Sequence, residues 1–507
     1  MKKPLGIHPF LFALYFILFL FAYNIHEILF SQIMFPLAVV LGFTFLFMWL
    51  SKFIFKDNIK GGVIVSLFLV MFFSYGHILS IIGGARLGNF LIGRNIYILP
   101  MWIIIFICIN YFIIKKQQKS LCNFTKILNV IAFTLVLISL FNIGIYKFNL
   151  ITNVQDKNIY IENRDSNIAS LEHKKPLRDI YYIILDEYAS SRTLNEIYKY
   201  DNSEFTDYLI NEEFYIATKS QSNYAYTLPS IASSLNMEYI NNISSMISGK
   251  VKVDTILFQM IQNSKVMRFL KSKGYKFILF SSGYGSTDYN KLADLNIRGS
   301  ARFNEFFTLL IKTTVLEPIT RYISGGIIKD RILGTFSKLG ELDQIREPKF
   351  VFAHIVCPHY PYVFKANGDP VEVKLLTYAK GLTQSEDREL YLNQLIFITK
   401  KVKVLVNEIL LKSEVSPIII LQADHGTAFG FNDCEHPTEE MFKGRMNIFN
   451  VYYLPGGGNE VLYNSITPVN TFRLIFNFYF GTNYKLLEDR SYFQNIDVTD
   501  KVKYNQE

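Results

Sequence analysis

The stretch "ILQADHGTAFG", Ile420–Gly430, decides how this chain is read. An apolar run stops at Asp424-His425-Gly426. Two readings fit an acid and an imidazole at the end of a buried strand. One is an ordinary turn, where Asp and Gly are common. The other is a pair of ligands, and the rest of the chain has to decide between them.

Working outward, residues 178–507 alternate strands with helices. Strands are expected at 179–185, 275–282, 349–356, 417–423 and 446–456, and helices at 203–214, 227–240, 266–274 and 385–413. Continuous apolar strands separated by amphipathic helices predict an α/β domain with a mostly parallel central sheet, covered by helices on both faces. Function in such a sheet sits at the carboxyl ends of its strands. Asp424-His425 stands at one such end. Asp186-Glu187 in "YYIILDEYASS" and His359 in "FVFAHIVCPHYPY" stand at two others.

The other half is a different material. Five runs, at 8–26, 32–51, 61–83, 95–114 and 127–147, are long and apolar enough to cross a bilayer. Lys2 and Lys3 precede the first run, but no small-residue cleavage site follows it, so it reads as a retained helix rather than a signal peptide. The net charge of +9 lies here too. Residues 1–150 carry 12 basic and 2 acidic side chains, against 40 and 41 in the remainder. A nucleic-acid partner is therefore not indicated. Lys2, Lys3, Lys52, Lys56, Lys60, Lys115, Lys116, Lys119 and Lys126 fall in one set of loops, and only Arg86 and Arg94 in the other. That asymmetry predicts a cytoplasmic N-terminus and an extracytoplasmic C-terminal domain. The expected division is a five-helix transmembrane domain at 1–147, a linker at 148–177 and a catalytic domain at 178–507.

Asp186, Asp424 and His425 form an N/O donor set suited to one divalent cation such as zinc or manganese. A hydroxyl nucleophile is expected in "SQSNYAYTLPSIASSLN", where Thr227 stands as loop becomes helix. A hydroxyl there meets the positive end of the helix dipole, although a plain N-cap would look the same. Ser222 and Ser230 are competing hydroxyls.

These residues resemble the alkaline phosphatase/sulfatase superfamily. Within it the chain is most similar to membrane-anchored phosphoethanolamine transferases of lipid A and lipoteichoic acid synthases. The resemblance rests on "IILDEYAS", "YTLPSIASSL", "PHYPY", "QADHGTAFG" and "DCEHP", in the family's order, and on "SITPVNTFRLIFNFYFG" as a closing helix. It implies a sulfatase-like fold with Asp186, Asp424, His425 and Thr227 on the metal. Thr227 would be the nucleophile, and His359 and His436 would contact phosphate or protonate the leaving group. Those two groups carry Glu as the first acid. Asp stands here with Glu187 beside it, and Asp186 directly follows the strand. "TLPSIA" also resembles the sulfatase motif C/S-x-P-S-R. Thr cannot become formylglycine, which favours phosphoryl over sulfuryl chemistry. The implied reaction moves phosphoethanolamine or phosphoglycerol from a phospholipid donor to a surface glycan or lipopolysaccharide, at a multi-pass inner membrane. A membrane-bound hydrolase and a non-catalytic envelope protein are the alternatives. Cys357 and Cys434 each precede a proposed site histidine by two residues, so a disulfide between them is a further expectation.

Overall fold

The computed structural model describes residues 4–25, 28, 30–82, 86–87, 90–91, 95–162, 177–241, 243, 253–299, 305–371, 383–427, 438–493 and 496–499. The chain divides into two compact units. One comprises Met1–Tyr160 and Phe303–Ser324, and the other Ile161–Arg302 and Gly325–Glu507.

The first unit contains the apolar helices. Among the described residues, four stretches are long and apolar enough to span a membrane: α2 (Phe30–Phe55), α3 (Asn58–Ile82), α4 (Asn95–Lys115) and residues Gln118–Phe148 of α5 (Gln118–Glu162). The first expected span, 8–26, is shorter. Helix α1 (His8–Tyr23) has 16 residues, about 24 Å against a hydrocarbon core of about 30 Å. Asn24 stops it: its backbone N–H and its side-chain amide both donate to the Leu20 carbonyl. At the other end of α1, the Asn129 side chain accepts from the N–H groups of Ile7 and His8. Helix α5 continues to Glu162, so the stretch expected as a linker from 148 begins as helix. Residues 163–176 lie outside the described residues.

Phe12, Ile17, Phe21, Ile33, Leu69, Phe73 and Val136 build the core of this unit. Ile104, Ile107 and Phe112 on α4 and Phe133 and Phe141 on α5 are exposed, the pattern of a surface that meets lipid rather than water. One helix here comes from far along the sequence. α7 (Glu305–Thr313) places Phe306 and Leu310 in the same core. The backbone N–H of Val315 donates to the Phe72 carbonyl at 3.0 Å. A Cβ on Gly76 would lie 2.0 Å from the Lys312 carbonyl oxygen, so the close approach of α3 requires glycine. Phe303–Ser324, inside the stretch 178–507, groups with the first unit, where Phe306 and Leu310 are buried.

The second unit holds a mixed seven-stranded sheet. Its strands are β1 (Ile180–Leu185), β2 (Tyr215–Ile216), β3 (Lys276–Phe280), β4 (Leu295–Ile297), β5 (Lys349–Ile355), β6 (Ile418–Gln422) and β7 (Asn450–Tyr453), in the order β2-β7-β6-β1-β5-β3-β4. From β6 to β4 every pair is parallel, as expected. The β7 edge is antiparallel to β6 and β2. β7 starts at Asn450 rather than 446, because α9 (Glu439–Met446) ends there.

Alternate strand residues bury on opposite faces. Ile183, Leu185, Val351, Ile419 and Leu421 pack with Leu395, Val402 and Val406 of α8 (Gln384–Lys412). Ile180, Tyr182, Phe352 and Ile420 pack with Ile231 and Leu235 of α6 (Thr227–Asn236) and Phe472 and Phe476 of α10 (Pro468–Phe480). The register aligns the strand ends. Ile184 pairs with His354 on one side and Gln422 on the other, so the residues after β1, β5 and β6 emerge at one level.

Candidate metal centre

Asp186 follows β1 directly, and Asp424 and His425 follow β6 after one alanine. All three are buried, and one donor atom of each lies within 4.8 Å of the others. Asp186 Oδ1 and Asp424 Oδ2 are buried without a hydrogen-bond partner. Unpaired carboxylate oxygens away from water are costly unless a cation meets them. His425 Nε2 faces the same space, 3.3 Å from Asp424 Oδ2 and 3.8 Å from Asp186 Oδ1. Its Nδ1 lies 3.0 Å from the Gly426 carbonyl, the usual second bond of a ligating imidazole. This donor set fits one divalent cation of the zinc or manganese kind.

Thr227 is the first residue of α6. The cap position is Tyr226, which makes no side-chain cap bond, so the hydroxyl is not serving as an N-cap. Instead Thr227 Oγ1 lies 3.1 Å from His425 Nε2. The competing hydroxyls are committed elsewhere. Ser230 Oγ donates to the Asp424 carbonyl at 2.6 Å, and Ser222 Oγ meets Met446 Sδ at 3.8 Å.

Glu187 turns away from the cluster. Its φ of 68° puts a non-glycine residue in the left-handed region, at a cost of about 1–2 kcal/mol. That turn sends Asp186 and Glu187 in different directions. The Glu187 N–H donates to Asp424 Oδ1 at 3.2 Å, while its carboxylate pairs with Arg445 at 3.1 Å. Asp186, and not Glu187, stands with Asp424 and His425.

His359 lies between two cis-proline bonds, Cys357–Pro358 and Tyr360–Pro361, in "CPHYP", and its N–H donates to the Asp186 carbonyl at 3.1 Å. Its ring is half-buried, with Nε2 3.9 Å from Glu187 Oε2. It therefore lies at the rim, open to an incoming group. His436 and Cys434 lie outside the described residues. Cys357 is a buried free thiol.

Two contributors carry no motif. His354, inside β5, sets Nε2 3.3 Å from Asp186 Oδ2, and its Nδ1 lies 2.8 Å from Thr287 Oγ1. Arg445 closes α9 beside His425. A polar residue inside the apolar run "KFVFAHIV" is the one sequence signal for His354. Arg445 has none.

The charges are strongly coupled. Burial opposes ionisation of Asp186, but the charge of His359, with His354 beside the carboxylate, outweighs it and holds its carboxyl below the usual range. Burial, reinforced by the Asp186 charge, pushes Asp424 up to about 7. Burial and then Arg445 hold His425 neutral, as a ligand must be. Burial acts against the charge of His359, yet Asp186 and Glu187 raise it to about 9. One carboxylate is thus poised to exchange a proton for a cation, and one imidazole to act as an acid.

No protein-family model and no curated protein matches this sequence. Among solved structures, the chain is similar to the C-terminal periplasmic domain of EcEptC from Escherichia coli, at 12% identity over 60% of this chain and 82% of that one, with a TM-score of 0.40. It is similar to the C-terminal periplasmic domain of phosphoethanolamine transferase EptC from Campylobacter jejuni, at 13% identity over 62% and 92%, with a TM-score of 0.39. It is also similar to the integral membrane lipooligosaccharide phosphoethanolamine transferase A (EptA) from Neisseria meningitidis, at 11% identity over 93% and 95%, with a TM-score of 0.39.

Proposed function

We propose that this chain is a membrane-anchored, metal-dependent phosphotransferase. It moves phosphoethanolamine or phosphoglycerol from a phospholipid to a surface glycan or glycolipid such as lipopolysaccharide. Five spans with a cytoplasmic N-terminus would hold the site on the outer side of an inner membrane. The observation that carries this reading is the placement of the Thr227 hydroxyl 3.1 Å from His425 Nε2, beside two buried carboxylate oxygens that lack hydrogen-bond partners.

Asp186, Asp424, His425 and Thr227 would hold one zinc or manganese ion. When bound, the ion lowers the pKa of a coordinated hydroxyl and neutralises phosphoryl charge. The Thr227 oxygen, its proton lost to water, attacks the donor phosphorus. A Thr227–O–P bond forms, and the bond from phosphorus to the diacylglycerol oxygen breaks. Protonated His359 gives its proton to that leaving oxygen. In the second step an acceptor hydroxyl attacks the same phosphorus and His359 takes the hydroxyl proton. The Thr227–O–P bond then breaks and restores the enzyme. His436 is the alternative acid-base group. The N-terminus of α6 adds N–H dipoles facing the developing negative charge.

A hydrolase would use the same first step, with water in place of the glycan hydroxyl. The two reactions separate on products. Membranes from cells carrying wild type or Thr227→Ala are compared by phosphorus NMR and mass spectrometry of surface glycans. A phosphate substituent lost in the variant supports transfer. An unchanged substituent rejects Thr227 as nucleophile, and lost release of free phospho-headgroup without any glycan change favours the hydrolase.

A further inference from the structure

Arg445 is buried at the end of α9, and its guanidinium is pinned on all sides. Nε donates to the Ala225 carbonyl at 2.7 Å. Nη1 donates to Glu187 Oε1 at 3.1 Å and to the Gly426 carbonyl at 3.2 Å. Nη2 lies 3.2 Å from His425 Nε2. Ala225 is two residues from Thr227 and Gly426 is next to His425, so one side chain ties the nucleophile loop to the ligand loop. The Nη2 contact is unusual. With His425 Nδ1 donating to the Gly426 carbonyl, Nε2 offers a lone pair. The Arg445 N–H points at the lone pair that a cation would take.

Resting on the metal-centre reading above, we propose that Arg445 is the phosphoryl-binding residue of this site. Nη2 lies against the His425 lone pair, and Thr227 Oγ1 lies beside the same nitrogen. With that lone pair on a cation, the Nη2 N–H groups, held where they stand, are left to donate to a phosphoryl oxygen at Thr227. Charge supports this. Asp186, Asp424 and Glu187 are balanced by one divalent cation and the protonated His359, so Arg445 supplies the positive charge that draws a phosphodiester. Glu187 and two carbonyls fix the guanidinium before substrate arrives, so no reorganisation opposes binding. Because Nε and Nη1 are anchored, the planar guanidinium fixes the direction of the two Nη2 N–H groups, which a flexible lysine ammonium would not.

The test measures binding of Mn²⁺ alone, and then of inorganic phosphate with and without Mn²⁺, to the full-length protein in detergent micelles by calorimetry. Wild type should bind phosphate more tightly with Mn²⁺ present. Arg445→Gln should keep its Mn²⁺ affinity, or gain, since a competitor for the His425 lone pair is gone. Its phosphate affinity with Mn²⁺ should fall about 10–100-fold, the worth of a charged hydrogen bond. Arg445→Lys should recover part of that loss. The pair Glu187→Gln with Arg445→Gln removes both buried charges, so that an unfolded single variant does not end the test. Phosphate affinity equal to wild type in a folded variant overturns the Arg445 assignment alone. A wild type that takes up no Mn²⁺ overturns the metal centre, and this proposal with it.

Discussion

Thr227 Oγ1 and His425 Nε2 stand 3.1 Å apart although 198 residues separate them in sequence. A helix start and a strand end meet there. The hydroxyl is buried, is not spent on capping its own helix, and faces the one nitrogen of His425 that a cation would use. Replacing Thr227 by alanine should remove the covalent intermediate and lower transfer about 10³-fold or more, with the metal still bound. Thr227→Ser keeps a hydroxyl and should retain measurable transfer. Intact-mass spectrometry of enzyme incubated with phospholipid and no acceptor checks this: wild type and the serine variant gain a phospho-substituent, and the alanine variant does not.

Asp424 gives a pH dependence whose sign follows from its environment. Burial and the Asp186 charge raise it from the ordinary carboxylate range to about 7. The native state therefore holds this proton more tightly than the unfolded chain. The group's contribution to stability is present at low pH and is lost as pH rises from about 4 to about 7. A cation must displace the same proton. Metal affinity should then climb roughly tenfold per pH unit up to about pH 7 and flatten above it. Calorimetric titration of Mn²⁺ between pH 5 and pH 8, on wild type and Asp424→Asn, checks this. A flat profile in wild type would count against Asp424 as the proton-exchanging ligand.

His359 has the opposite sign of usefulness. Asp186 and Glu187 outweigh burial and raise it to about 9, so it carries a proton at neutral pH. Its share of stability is complete below about 6.5 and is lost as pH climbs through about 9. As leaving-group acid, it should give the transfer rate an alkaline limb. His359→Gln should lower the rate about 10²–10⁴-fold and remove that limb. A pH–rate profile of both proteins checks the assignment.

Several of these positions were legible from the chain alone because a strand end announces itself. "YYIILDEY", "FVFAHIVCPH" and "IILQADHG" each pass from a buried run to an ionisable residue, and the common register of β1, β5 and β6 brings those ends to one level. The direction of β7 was not legible, since apolar alternation is the same for either sense of a strand. Phe306 and Leu310 in α7 look like any amphipathic core helix, and only packing shows that they join the core of the N-terminal apolar helices. Arg445 was hidden for a related reason: its meaning depends on Glu187, Ala225 and His425, which lie 20 to 258 residues away. The end of α1 turned on one asparagine whose side chain reaches back to Leu20, a contact that hydropathy does not register.

The glycine of Asp424-His425-Gly426 has a packing role. A Cβ on Gly426 would lie 2.2 Å from the Gly444 carbonyl oxygen and 2.9 Å from that of Asn447. Both obstacles are backbone, so neither can swing aside. The Gly426 N–H also donates to the Arg445 carbonyl at 2.7 Å. Gly426→Ala should destabilise the α/β unit by about 1–3 kcal/mol, as overpacking does. It should also push α9 away from His425. Thermal melting of wild type and variant measures the first effect, and weakened Mn²⁺ binding by the folded variant the second.

His354 is the remaining test, and its position inside β5 separates support from ligation. Thr287 Oγ1 lies 2.8 Å from Nδ1, and Nε2 lies 3.3 Å from Asp186 Oδ2. Held inside the strand between Thr287 and Asp186, the ring steers the Asp186 carboxylate from behind without taking a place on the cation. Groups that orient a ligand in this way typically contribute 10–100-fold to metal affinity. His354→Gln should therefore weaken Mn²⁺ binding by about that factor, since its amide can still donate to Asp186. His354→Leu should weaken it further. Neither variant should change the number of ions bound, which elemental analysis of metal-loaded protein reads directly. A loss of binding as complete as that of Asp186→Ala would instead make His354 a ligand in its own right.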